Sequence, residues 1–160
     1  MAQTIASLNG VRNYFGPQDP THTKIPSKKV KQSTEELVVE FRYDSLPGAD
    51  ANDAGVLVIP AKSFIVSARL EVLEAFAGGT SYTIGTEQTD GTDIDVDGFF
   101  TAAALLLATI DTVGKWTVGT GALLGTVSSL TLDSQVVVIA AGTFTAGRAR
   151  LIVEYIPASI

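Results

Sequence analysis

The chain has 160 residues, a length that permits one stable core and roughly two thirds of the unfolded surface to be buried. Hydrophobic residues make up 46% and charged residues 18%, a balance that excludes wholesale disorder. Cysteine is absent, which removes disulfides, thiolate chemistry and cysteine-based zinc sites together, and the formal net charge is −6.

That charge is unevenly placed. Residues 1–42 carry six basic side chains against four acidic ones, for +2, whereas residues 43–160 carry five against 13, for −8. A mildly basic leader is joined to an acidic body. The N-terminus lacks a basic start followed by an apolar run of roughly 7 to 15 residues, so no signal peptide is expected. The longest apolar stretch, Ala102 to Ala108, is far below the roughly 20 residues a membrane span needs, and a soluble chain is expected.

Residues 1–34 have no sustained apolar period and contain Pro17, Pro20 and Pro26 with Gly10 and Gly16. Proline lacks the amide a sheet ladder requires and biases its predecessor away from helix, so this stretch reads as an extended arm. Val11, Tyr14, Phe15 and Ile25 are among its larger apolar residues. Lys24, Lys28, Lys29 and Lys31 form the chain's basic cluster. An acidic body opposes nucleic-acid binding, so the arm is expected to dock on an acidic protein neighbour, with plain solubility as the alternative.

Residues 35–160 read as a β domain. The first strand covers Glu36 to Tyr43, with Leu37, Val39, Phe41 and Tyr43 alternating against Val38, Glu40 and Arg42. A turn-rich loop, Ser45 to Gly55, leads to a short strand from Val56 that Pro60 ends. From Phe64 the period of two resumes: Phe64, Val66, Ala68, Leu70 and Val72 are expected on one face, with Ser67, Arg69 and Glu71 on the other. Ala77, Gly78 and Gly79 interrupt it and Thr80 to Thr86 restarts it, predicting a long hairpin. Phe99 to Ile110 is apolar throughout and fits either a short buried helix or a buried strand. Glycines punctuate Asp111 to Val127, Gln135 to Ala140 suits a buried strand, Thr143 to Gly147 is read as a turn, and Ala149 to Tyr155 alternates as the last strand before Pro157. Seven to nine short strands with no alternating amphipathic helices predict an all-β antiparallel sandwich or jelly roll, with at most one short helix.

Candidate chemistry is sparse. Asp93-Ile94-Asp95-Val96-Asp97-Gly98 matches the opening of an EF-hand loop, but the twelfth position is Ala104 where a bidentate glutamate is needed. A looser calcium site from Asp90, Asp93, Asp95 and Asp97 competes with plain β-alternation, Ile94 and Val96 inward and the carboxylates solvated; the alternation is preferred. His22, the one histidine, sits in the arm and reads as solvated. Glu71 and Glu74 lie an odd number of residues apart and are expected on opposite strand faces, unsuited to paired acid–base work. Gly119 to Gly125 (GTGALLG) contains neither phosphate-loop pattern and reads as turns. No residue is assigned a catalytic, cofactor-binding or metal-ligating role, and no enzyme activity is expected.

The run from Ile59 (IPAKSFIVSARLEVLEAFAGGTSYTIGTEQTDGTDIDVDGFF), with GKWTVGTGALLGT and the closing GTFTAGRARLIVEYI, resembles capsid decoration or cement proteins of tailed bacteriophages. The likeness spans about Val56 to Ile156 and rests on segment order, not on a catalytic motif. It implies a sandwich or jelly-roll body on the capsid exterior, usually trimeric, with an arm over the shell and no cofactor. The expected partners are the major capsid protein and further copies of the chain; the expected location is the virion, assembled in the host cytoplasm. Arg12, Tyr14, Phe15, Lys24, Ile25, Lys28, Lys29 and Lys31 are the expected arm contacts, inferred from composition. A host-recognition sandwich that binds carbohydrate, for which Trp116 is the one tryptophan, and a calcium-dependent adhesion domain are the alternatives.

Overall fold

The computed structural model describes residues 6–8, 11–13, 34–48, 58–125 and 132–157. Residues 1–31 and 32–160 form two compact units. In the first, β1 (Ala6–Leu8) and β2 (Val11–Asn13) pair antiparallel, with Leu8 opposite Val11. The segment read as an extended arm therefore contains one small hairpin.

The second unit holds β3 (Glu35–Arg42), β4 (Val58–Ile59), β5 (Phe64–Gly78), β6 (Ser81–Gln88), β7 (Asp93–Phe100), α1 (Leu107–Ile110), β8 (Trp116–Val118), β9 (Ser134–Ala141) and β10 (Phe144–Ile156). The strands form two antiparallel four-stranded sheets, ordered β3-β10-β5-β8 and β4-β9-β6-β7. Successive strands alternate between the two sheets except β6 and β7, which are neighbours in one, and β3 pairs with β10, β4 with β9 and β5 with β8, which is the winding of a jelly roll. Side chains from both sheets, among them Phe41, Leu70, Tyr82, Phe100, Val138 and Leu151, share one buried core.

β5 and β6 are not a hairpin. β5 bonds to β10 and β8, and β6 bonds to β9 and β7. The interruption at Gly78–Gly79 turns the strand from one sheet into the other, and the partner strand makes the same turn between Ala141 and Phe144. Gly78 stands opposite Phe144 and Ser81 opposite Ala141, so pairing continues in one register through the corner. A Thr80 N–H donates to the Ala141 carbonyl at 2.7 Å within it. β5–β6 and β10–β9 are thus one long two-stranded ribbon folded over on itself.

Gly79 makes the fold-over possible. Its φ is +61°, and a Cβ there would lie 2.3 Å from the Phe144 ring. That ring stacks on Tyr82 with centroids 4.2 Å apart and meets Phe76 edge-on at 5.9 Å, so an aromatic cluster occupies the inside of the bend. Tyr82 is almost fully buried and its hydroxyl has no partner among the described residues. Burial holds its ionisation well above the ordinary tyrosine value.

Bulges shift the expected faces. Between the pairs Tyr155–Ile65 and Glu154–Ser67, β5 gains a residue. Ile65 turns inward and Val66 is left 37% exposed, the reverse of strict alternation from Phe64. From Ala68 to Val72 the expected alternation holds. The turn expected over Thr143 to Gly147 is confined to Gly142 and Thr143, because β10 begins at Phe144 and treats Gly147 as a bulge beside the Phe76 ring. Phe99 to Ile110 resolves into both options: Phe99 and Phe100 end β7, and Leu107–Ile110 forms one helical turn near the corner, where Leu107 N–H donates to the Thr80 carbonyl.

Gly119 to Gly125 straps the two sheets together. Gly119 and Gly125 amides donate to Ala68 and Ile65 on β5, and Gly121 and Leu123 amides donate to Phe99 and Gly98 on β7. A Cβ at Gly121 would sit 2.2 Å from the Gly98 carbonyl oxygen, so only glycine allows this approach.

Replacing Gly79 with alanine imposes both left-handed backbone strain and the ring clash, an expected loss of at least about 2 kcal/mol. Gly91→Ala, at φ +84° with nothing within 4 Å, bears the backbone strain alone and is expected to cost about 1 kcal/mol. Urea denaturation of the two variants measures the difference.

Candidate assembly surface

The outward side of the β3-β10-β5-β8 sheet carries four rows of side chains set by strand register. Glu36, Glu154 and Ser67 form one, and Val38, Ile152, Arg69 and Val118 the next. Glu40, Arg150, Glu71 and Trp116 form the third, and Arg42, Arg148 and Glu74 the last.

Most of the charge is joined within the face. Arg150 donates from Nε and Nη2 to Glu40 Oε1 at 2.9 and 2.7 Å, and reaches Glu71 Oε2 at 3.3 Å from Nη1. The Glu40 hydrogen bond and charge, followed by Glu71, raise the guanidinium's affinity for its proton. Glu154 accepts from Arg69 at one oxygen and from the Ser67 hydroxyl at the other, 2.8 Å away. At the sheet's end the Tyr155 hydroxyl donates to Glu35 at 2.8 Å, and burial together with that bond pushes its pKa up to about 12. Glu71 and Glu74, expected on opposite faces, both open outward, because the β5 bulge at Leu73 sets Glu74 opposite Arg148 and Glu71 opposite Arg150. Each has an arginine for a neighbour instead of the other glutamate.

Apolar side chains break through this charged field. Val38 is 49% exposed, and on the short edge strand β8 Trp116 is 51% and Val118 65% exposed, with Val113 open nearby. A shallow notch of about 290 Å³ opens at the end of β3, lined by Glu40, Phe41, Arg42, Ser45 and Arg148. Such a face, with apolar projections among charges already paired, can lose water to another protein without stranding most of its ions.

The acidic segment takes neither expected form. Ile94 is 37% exposed instead of inward, because β7 is an irregular edge strand in which Ile84 faces Phe100 while Thr86 faces Asp95. The intervening residues bulge and break the period. Asp90 accepts the Thr92 amide at 2.9 Å, which lowers its pKa. Asp95 is half-buried, and burial followed by the hydrogen bond and charge of Asp97 raises its pKa. Among the described residues no three acidic or histidine side chains converge as a metal cluster.

Of the expected arm contacts, Arg12 lies on β2; Tyr14, Phe15, Lys24, Ile25, Lys28, Lys29 and Lys31, like His22, lie outside the described residues. Sequence reading missed the buried carboxylate of Glu87, which accepts from Gln135 Nε2 at 2.7 Å on the sheet face covered near Gly48. A glutamate in an otherwise β-prone run carries no signal of burial until β6 and β9 are paired.

Asp95 binds its proton more tightly in the folded chain, so stability falls as pH climbs through its raised pKa. Asp95→Asn is expected to raise the melting temperature by a few degrees at pH 7. The gain should vanish near pH 3, below the ordinary carboxylate range, as scanning calorimetry at both values would show.

No family model and no curated protein matches the chain. Two solved structures do: a chain from the acidic stable capsid structure of Helicobacter pylori bacteriophage KHP30, and one from the capsid of a Ralstonia phage, GP4. The first is 19% identical with a TM-score of 0.56, covering 79% of this chain and 89% of that one; the second is 18% identical with a TM-score of 0.51, covering 79% and 86%. At these identities the likeness is one of fold.

Proposed function

We propose that the chain is a non-enzymatic structural protein of a bacteriophage virion. In this reading it is a decoration, or cement, protein on the capsid exterior that stabilises contacts between major capsid protein subunits. The observation that carries the reading is the jelly roll shared over most of the chain with chains from two phage capsids. It agrees with the sequence resemblance, which rests on different information, namely the order of short motifs. The protein is assembled in the host cytoplasm and works as a homo-oligomer, a closed trimer if it follows the proteins that its sequence resembles.

Physical logic supports adhesion. A cement protein must join neighbours under load, which favours a stiff body with exposed apolar side chains and an extended segment that crosses to a partner. The hydrogen-bonded ribbon and the sheet-joining strap supply the stiffness, and Val38, Trp116 and Val118 supply apolar surface. The basic segment of residues 1–34 supplies the crossing element, with Arg12, Tyr14, Phe15, Lys24, Ile25, Lys28, Lys29 and Lys31 on the shell.

Purified protein is expected to form an oligomer and to co-sediment in many copies with expanded capsids that lack it. A monomer that leaves such capsids unbound contradicts the reading. Removing residues 1–34 should leave a folded body with weakened capsid retention, and unchanged retention removes the arm from the account.

Carbohydrate binding at a host-recognition module is the second reading, and the half-exposed Trp116 favours it. Glycan-array binding that Trp116→Ala abolishes would establish it over the first.

A further inference from the structure

On the outward face, β3 and β10 meet in four directly opposed pairs: Glu36 with Glu154, Val38 with Ile152, Glu40 with Arg150, and Arg42 with Arg148. The ladder is acidic on both strands at one end and basic on both strands at the other. Opposed like charges repel, so each end carries a repulsion across β3 and β10, offset on the β5 side by Glu74 beside Arg148 and by Arg69 beside Glu154. Relief within the chain is incomplete. Glu154 is engaged by Arg69, but Glu36 and Arg148 have no ion-pair partner among the described residues, and Arg42 meets Asp44 at a long 3.5 Å with both side chains more than half exposed.

We propose that this face binds a second copy of the chain across a two-fold axis that runs parallel to the sheet, between the two facing surfaces, and perpendicular to β3 and β10. That operation lays the Glu36–Glu154 end of one copy over the Arg42–Arg148 end of the other, and the reverse, so one favourable contact is made twice. Six residues of extended strand separate the ends by roughly 20 Å, enough for two independent charge contacts. Between them, Val38 and Ile152 of each copy meet the Glu40–Arg150 pair of the other, whose charges are already joined and whose arginine presents an aliphatic stem. The notch lined by Arg42, Ser45 and Arg148 receives the Glu36 carboxylate of the second copy, for which planar guanidinium groups are suited.

A polyanion does not fit this face. It would gain Arg42 and Arg148 but run onto Glu36 and Glu154 on the same two strands. The occupant must carry both signs in the opposite order, and a two-fold copy does so by symmetry. The proposal does not rest on the virion reading. A trimer ring uses head-to-tail contacts, so a two-fold contact would join copies of separate rings, or two single chains if no ring exists.

The test is native mass by sedimentation equilibrium at low ionic strength. Arg42→Glu with Arg148→Glu is expected to halve the wild-type mass, and Glu36→Arg with Glu154→Arg to do the same. An equimolar mixture of the two variants should recover the wild-type mass, because their faces are again complementary. Val38→Lys, outside the ion-pair network at a half-exposed site, should also halve the mass and serves where charge reversal disturbs folding. A wild-type mass that neither Arg42→Glu/Arg148→Glu nor Val38→Lys lowers overturns the proposal, as does a mixture of folded variants that stays at half mass. The halving is read relative to whatever ring the wild type forms, so it separates failure of this contact from failure of the capsid reading.

Discussion

The structure depends on a two-stranded ribbon that changes sheets without breaking its hydrogen-bond ladder. β5 and β10 lie in one sheet and β6 and β9 in the other, yet Gly78–Phe144 and Ser81–Ala141 share a register. A ribbon can fold this sharply only where backbone crowding is relieved, and Gly79 relieves it while the Phe144 ring fills the space a side chain would occupy. The same ring packs on Tyr82 and Phe76, so the bend and the core stabilise each other. Because both sheets hang from this ribbon, the remaining strands have few choices: β3 and β4 add on one side, β8 and β7 on the other.

That arrangement directs the large apolar side chains inward and leaves recognition to the outward faces and edges. The Gly119–Gly125 strap fixes the two sheets to each other along one side. The outer face of the β3-β10-β5-β8 sheet is consequently a stiff platform whose side chains have positions set by register. On such a platform Arg150 is held between Glu40 and Glu71 without a long flexible search, and Trp116 and Val118 project from a short edge strand. Stiffness and a patterned surface are what adhesion between proteins uses.

Much of the fold is legible in the sequence. Alternation located β3, most of β5 and the last strand, and the all-β class followed from turn spacing. What could not be read was partnership. Ala77-Gly78-Gly79 signals a reversal, and sequence alone does not distinguish a hairpin from a strand that crosses to another sheet, since both need the same backbone freedom. Bulges were equally silent: one extra residue near Val66 turned Ile65 inward, and another at Leu73 brought Glu74 to the face of Glu71. The like-charge pairs Glu36–Glu154 and Arg42–Arg148 join residues more than 100 positions apart, so they exist only once β3 and β10 are aligned. Glu87 is hidden for the same reason, as its cover comes from β9 and the loop near Gly48.

Sequence resemblance and fold likeness meet on one reading, in which a jelly roll grips a viral shell and joins its subunits. The most direct test of that proposal is a cryo-EM map of phage particles produced by cells that carry the gene for this chain. The account predicts many symmetry-related copies of the eight-stranded body on the outer surface of the shell, seated over contacts between major capsid protein subunits. Density for the body at a fibre tip in a few copies, or a particle without it, would contradict that account.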